Sequence, residues 1–290
     1  MNLAEYARQR IAGLLDRFAE RLQAAAGEGS GAAPIRELRV AIRRLTSALR
    51  VFGPLYPEGR CKKLRKRLSG LMAAAGAVRD CDVALELLAE AGVPARSAMA
   101  VRLRARRHKK DDALRTEIVR WQSRDRVARW RGRLELQAMG NGRMPVEQNA
   151  RRRLPPLVRQ YFEEVRQLLA ARPAPAGLHA IRLASKRLRD TLELFVPCYG
   201  VGVKTRLAQL QELQQILGEV SDYTAAQTLI QRQVPESPVR RAALRTLDRQ
   251  ASIRASRVRR EWRETFDAPG KEHWWLSYLA RPARSPKGRL

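Results

Sequence analysis

Five arginines, Arg36, Arg39, Arg43, Arg44 and Arg50, fall within fifteen residues that hold a single acid, Glu37. A guanidinium is planar, permanently charged and able to grip two oxygens of one anion, so a row of them suits a polymer of repeated anionic groups. A second run, His179, Arg182, Lys186, Arg187 and Arg189, has related spacing. Further cations follow each run: Lys62, Lys63 and Lys66, with Arg65 and Arg67 among them, after the first, and Lys204 and Arg206 after the second. The chemistry such sets can do is electrostatic capture of a phosphate-rich partner, and no bond need be made or broken.

Catalytic and metal chemistry lack their usual residues. Only His108, His179 and His273 could serve as imidazole bases, and His108 sits in the basic run RARRHKKDD. Cys61, Cys81 and Cys198 stand singly, and no Cys or His pair has the two-to-four-residue spacing of a zinc site. Neither a metal nor a cofactor is expected, and the chain is not expected to be an enzyme.

The cations must be positioned by helices, because nearly every stretch repeats apolar residues at three-and-four spacing and turn dipeptides are few. On an ideal helix Ile35, Leu38, Ile42, Leu45, Leu49 and Phe52 fall within an arc of about 100°, a stripe that faces a core. Arg36, Arg39, Arg43 and Arg50 share a separate arc of about 60° along roughly 21 Å of helix. His179, Arg182, Lys186 and Arg189 lie within about 80°, and Glu193 stands where Arg50 stood, so the second row is expected to be weaker. Lys62 and Lys66 share a face opposite Leu64, Leu68 and Leu71.

The two rows belong to an internal repeat. IRELRVAIRRLTSALRVFGPLY (residues 35–56) aligns with LHAIRLASKRLRDTLELFVPCY (178–199) at an offset of 143, with eight of 22 positions identical and no gap. Arg39/Arg182 and Arg44/Arg187 are among the identities, whereas shared helical periodicity alone would copy only apolar positions. A second match follows at offset 142, where AGAVRDCDVA (75–84) faces LGEVSDYTAA (217–226). Such a repeat predicts an all-α fold of two pseudo-symmetric four-helix bundles, packed side by side, from an internal duplication.

Each half then reads as an amphipathic helix (about 3–26 and 150–171), a breaker stretch (GEGSGAAP; RPAPAG), the motif helix, and a helix from 60 or 204 to a glycine-containing turn. Asp80 or Asp222 is expected to begin the next helix as a cap. A long charged helix closes each half, at about 95–139, broken near Ser123, and at 238–266. Pro and Gly at 140–145 mark the boundary between an N-terminal bundle (1–140) and a C-terminal bundle (145–275), with 276–290 a flexible basic tail.

Composition fits this picture. The 290 residues carry 58 Lys plus Arg against 29 Asp plus Glu, a net charge of +29, and only nine of the cations are Lys. Hydrophobic residues make up 44% of the chain, enough for a packed core, so the charge does not mark a disordered tail. Unpaired cysteines, no apolar leader and no stretch of about 18 apolar residues predict a cytoplasmic protein without a membrane span.

The paired motifs IRELRVAIRRLTSALRVF and LHAIRLASKRLRDTLELF, with the AVRDCDVALELL and EVSDYTAAQTLI segments, resemble the CHAD family, the conserved histidine α-helical domain. The resemblance runs from the first helix to about His273-Trp274-Trp275. It implies a basic channel or surface, formed by the motif helices, that binds inorganic polyphosphate and associates with polyphosphate granules. Carried over by position, the family's basic residues match Arg39, Arg43 and Arg44, then His179, Arg182, Lys186, Arg187 and Arg189. The first histidine position is Arg36 here, which favours charge over coordination. Many relatives are fused to a CYTH-type triphosphatase domain, whose alternating acidic residues on strands are missing from these 290 residues.

Nucleic acid is the competing partner for the same basic surface, since its phosphates attract the same arginines. The charged faces of the motif helices carry no Trp or Tyr on which bases could stack, which favours polyphosphate. Trp121, Trp130, Trp262, Trp274 and Trp275 are expected in packing. A granule-coating scaffold using the long basic helices (96–133 and 240–263) is the remaining alternative.

Overall fold

A computed structural model describes residues 1–27, 31–123, 125–134, 140–170 and 175–281. Among these the fold is all α, with no strand and one isolated antiparallel bridge between Asn2 and Pro145. The helices are α1 (Leu3–Ala24), α2 (Ala32–Val51), α3 (Arg60–Glu90), α4 (Ala98–Gln122), α5 (Arg126–Leu134), α6 (Val146–Ala170), α7 (Pro175–Leu194), the short α8 (Val196–Tyr199), α9 (Val201–Gln233), α10 (Pro238–Glu261) and α11 (Lys271–Ala280).

The core stripe read from α2 is buried throughout. Ile35, Leu38, Ile42, Leu45, Leu49 and Phe52 are each at most 1% exposed. α2 packs on α3 and α3 on α4, while α6 packs on α7 and α11. An aromatic pair closes each half's core: Phe18 against Trp121 (centroids 5.2 Å, 77°) and Tyr161 against Trp262 (5.8 Å, 73°). Around the second pair Phe162, Phe266 and Trp275 gather, with Trp262 and Phe266 stacked at 5.1 Å across a π-helical turn.

Three expectations are corrected. Gly76 and Gly218 do not break their helices, and Asp80 and Asp222 cap nothing, because α3 and α9 each run straight through. Glycine costs a helix about 1 kcal/mol, less than is gained by burying Leu68, Leu71, Ala75, Val78 and Cys81 on one continuous face. α6 begins at Val146, ahead of the expected start near 150, and carries Pro155 and Pro156 inside it. Burial of Val146, Ala150, Leu154, Val158 and Phe162 along the same helix outweighs the lost N–H donors. The C-terminal tail does not start at 276. Leu276 to Ala280 belong to α11, whose Trp275, Tyr278 and Leu279 recur at three-and-four spacing and are buried. Residues 282–290 lie outside the described residues, as do 135–139 of the long charged helix.

The chain forms two compact units that do not coincide with the sequence halves. One holds Ala4–Arg143 together with Ala225–Arg245; the other holds Met1–Leu3, Met144–Thr224 and the chain from Thr246 through α11. The chain leaves the first unit after Arg143, and the end of α9 and the start of α10 return to it. Arg106 of α4 donates to Gln233 of α9 there at 2.8 Å.

Candidate functional site

In the first unit the cations of α2 divide between two faces. Arg36, exposed, and Arg44, half-buried, line a groove of about 810 Å³ walled by α1, α2 and α3. Arg39 turns to α3, where its Nη1 lies 3.8 Å from the place a side chain on Gly76 would occupy, so the glycine leaves room for the guanidinium. Arg43 is half-buried and Arg50 exposed. Lys62, Lys63 and Lys66 are exposed along the first turns of α3, as the opposed Leu64, Leu68 and Leu71, all buried, require.

Sequence reading missed three members of this groove. Arg17 and Arg21 come from α1 and Arg79 from α3. The i,i+4 spacing of Arg17 and Arg21, flanking the stripe of Leu15, Phe18 and Leu22, was the available signal. The one acid of α2, Glu37, is engaged by Arg21 at 2.8 Å, and Arg79 holds Glu86 through both oxygens at 3.0 and 3.4 Å. The groove therefore brings five guanidiniums together and already contains carboxylates.

In the second unit two cations of α7 are paired with carboxylates. His179 is exposed, and Arg182 and Lys186 are half-buried. Arg187 makes an ion pair with Glu164 at 3.2 Å. Arg189 donates to Glu193 at 2.9 Å and to Gln214 Oε1 at 3.3 Å. Gln214 in turn donates to the Ser185 carbonyl at 2.8 Å, and the Ser185 hydroxyl meets the Tyr161 hydroxyl at 2.9 Å. Glu193, where the first half has Arg50, thus neutralises the cation one turn earlier on its own helix. Burial pushes the Tyr161 phenol well above its ordinary range.

Lys204 is exposed, but Arg206 is a correction. Arg206 is 1% exposed and shut inside α11, with its Cζ 3.5 Å from the Trp274 ring centroid and 4.1 Å from that of Tyr278. It donates to the carbonyls of Gly202, at 3.0 Å, and of Trp274. Desolvation lowers its pKa to about 10, still far above neutrality, so the buried group stays charged and is held by ring faces and carbonyl dipoles. Such a residue ties α9 to α11 and is closed to an external anion. Trp121, Trp130, Trp262 and Trp275 are buried as expected, while Trp274 is 39% exposed and spends one face on Arg206.

Among the described residues, no cluster of His, Cys, Asp or Glu could hold a metal, and no helix is long and apolar enough to cross a membrane. The geometry is that of a surface that attracts and orients anionic groups.

Two solved structures share the fold. The CHAD domain from the plant Ricinus communis superposes with a TM-score of 0.64 at 22% identity, covering 98% of this chain and 94% of that one. PptA from Streptomyces chartreusis superposes with a TM-score of 0.65 at 15% identity, covering 92% of this chain and all of the other. No curated protein matches the sequence. The CHAD domain profile matches residues 7–231, most of the chain and both motif helices, and this protein belongs to the CHAD domain family.

Proposed function

We propose that the protein binds inorganic polyphosphate without turning it over, through the basic faces of its motif helices, and that this binding brings it to polyphosphate granules in the cytoplasm. The observation that carries the reading is α2, whose sequence holds five arginines and one carboxylate, Glu37, itself directed to Arg21 of α1, with Arg36 and Arg50 exposed. Like charges three and four residues apart destabilise a helix by a few tenths of a kcal/mol per pair, a strain that an extended anion relieves. Membership of the CHAD family supports the same ligand. Binding is dominated by counterion release, so affinity falls steeply as salt is raised.

The test is direct competition at near-physiological salt between long-chain polyphosphate, mixed-sequence duplex DNA and single-stranded RNA. Polyphosphate is expected to bind tightest; nucleic acid binding equally well or better overturns the preference. Arg39, Arg43, Arg182 and Lys186 all lie off the apolar stripes. Replacing the four together by Gln is expected to weaken binding by about 100-fold, roughly half a decade per lost phosphate contact, with helical circular dichroism unchanged. Undiminished binding would move the site to the long helices α4 and α10.

A further inference from the structure

We infer that the groove walled by α1, α2 and α3 is a phosphate subsite guarded by the chain's own carboxylates. Polyphosphate enters it by displacing Glu37 from Arg21 and Glu86 from Arg79. The inference rests on the polyphosphate reading and adds to it three binding residues outside the motif helices, Arg17, Arg21 and Arg79.

The groove has the shape and donors for the task. Its volume, about 810 Å³, accommodates several consecutive phosphates, and Arg36 and Arg44 continue its wall along α2. The first turn of α2 also borders it through Ala32 and Ala33, contains no acid, and is preceded by Gly31, which makes no side-chain cap. The positive end of that helix dipole therefore adds to the guanidiniums.

The guarding pairs are built to yield. Glu37 and Glu86 are 54% and 57% exposed, so each pair is solvent-screened and contributes little to folding. Yet each carboxylate sits on the guanidinium fork that a phosphate would use, Glu86 through both of its oxygens. A chain anchored at one arginine offers its next phosphate at high effective concentration and outcompetes the side chain, whereas an isolated anion gains no such advantage. The second motif copy lacks this device: Ser221 stands 142 residues after Arg79, and Ala180 stands 143 after Glu37.

The experiment compares two double variants with the same change in net charge. Removing the guards, Glu37→Gln with Glu86→Gln, is expected to tighten long-chain polyphosphate about fivefold, the worth of two exposed ion pairs. Glu90→Gln with Asp112→Asn, exposed carboxylates outside the groove, should change affinity less than twofold. Arg17→Gln, Arg21→Gln and Arg79→Gln together should weaken binding about tenfold and abolish the gain from removing the guards. Equal gains in both double variants, or full affinity in the triple variant, would overturn the groove while leaving polyphosphate binding by the wild type intact. Wild type that fails to bind polyphosphate overturns both. All of the replaced side chains are exposed or half-buried, and matching melting temperatures confirm that the variants fold.

Discussion

Lys63 and Arg206 stand 143 residues apart, at one place in the internal repeat, and both are cations near the start of a long helix. Lys63 is exposed on α3, whereas Arg206 is sealed beneath Trp274 and Tyr278. What differs is the helix that closes each half. α5 is RVARWRGRL, whose one aromatic, Trp130, has Arg133 over its face at 5.3 Å. α11 is KEHWWLSYLA, and it brings three aromatic rings and a carbonyl to α9. A cation at one place in the repeat is a surface charge under one neighbour and a core strut under the other.

The largest test of this contrast is Arg206→Ala, expected to cost about 3 kcal/mol by opening a cavity under Trp274 and removing the charged donor shared by the Gly202 and Trp274 carbonyls. Lys63→Ala should shift stability by less than about 0.5 kcal/mol. Chemical denaturation of both variants settles it, and equal losses would mean that Arg206 is no strut.

Glycine offers a second contrast at the same offset. Gly59 is required by its backbone, φ +75°, with open space around it. Gly202 is required by packing, since an added Cβ would lie 2.4 Å from the Tyr278 ring, whose hydroxyl donates to the Tyr199 carbonyl at 2.6 Å. Gly202→Ala is therefore expected to cost about 2 kcal/mol through overpacking and Gly59→Ala about 1 kcal/mol through left-handed strain. Pairing Gly202→Ala with Tyr278→Leu should recover part of the first loss and none of the second.

Phe18 and Tyr161 also stand 143 residues apart, and at this place the second copy adds a buried phenol, whose hydroxyl meets that of Ser185 at 2.9 Å. A phenol whose folded pKa exceeds its unfolded value of 10.0 contributes stability that is complete below pH 10 and lost as pH rises above it. Folding stability should therefore fall above pH 10 by up to about 1.4 kcal/mol per pH unit from this group, seen as a falling melting temperature. Tyr161→Phe, which copies Phe18, should flatten that part of the fall.

The smallest effect concerns binding. Glu193→Arg, copying Arg50, releases Arg189 and restores the row on α7. Polyphosphate should bind about threefold tighter, as expected of one half-buried ion pair removed and one cation gained. No gain would mean that the α7 row contributes no contact.

Much of this was legible in the sequence because it depends on spacing along one helix. The apolar stripe of α2, the separate arc of cations and the repeat of both at offset 143 follow from 3.6 residues per turn and from residue type. The Arg189–Glu193 ion pair followed in the same way, since the two residues are four apart on one helix. Helix ends were less legible: local propensity marked breaks at Gly76 and Gly218, and long-range burial overrode it.

What sequence could not decide is which cation meets which neighbour, because that depends on elements far apart in the chain. Arg17, Arg21 and Arg79 join Arg36 and Arg44 only when α1, α2 and α3 pack. Arg206 leaves the set of surface cations only when α11, some 70 residues later, closes over it. Sequence by itself determined the number and spacing of the charges, a property of the single helix. Tertiary structure alone divided them into charges that face solvent, charges already answered by a carboxylate and one charge held in the core, because solvation and pairing are set by what lies within a few ångströms in space.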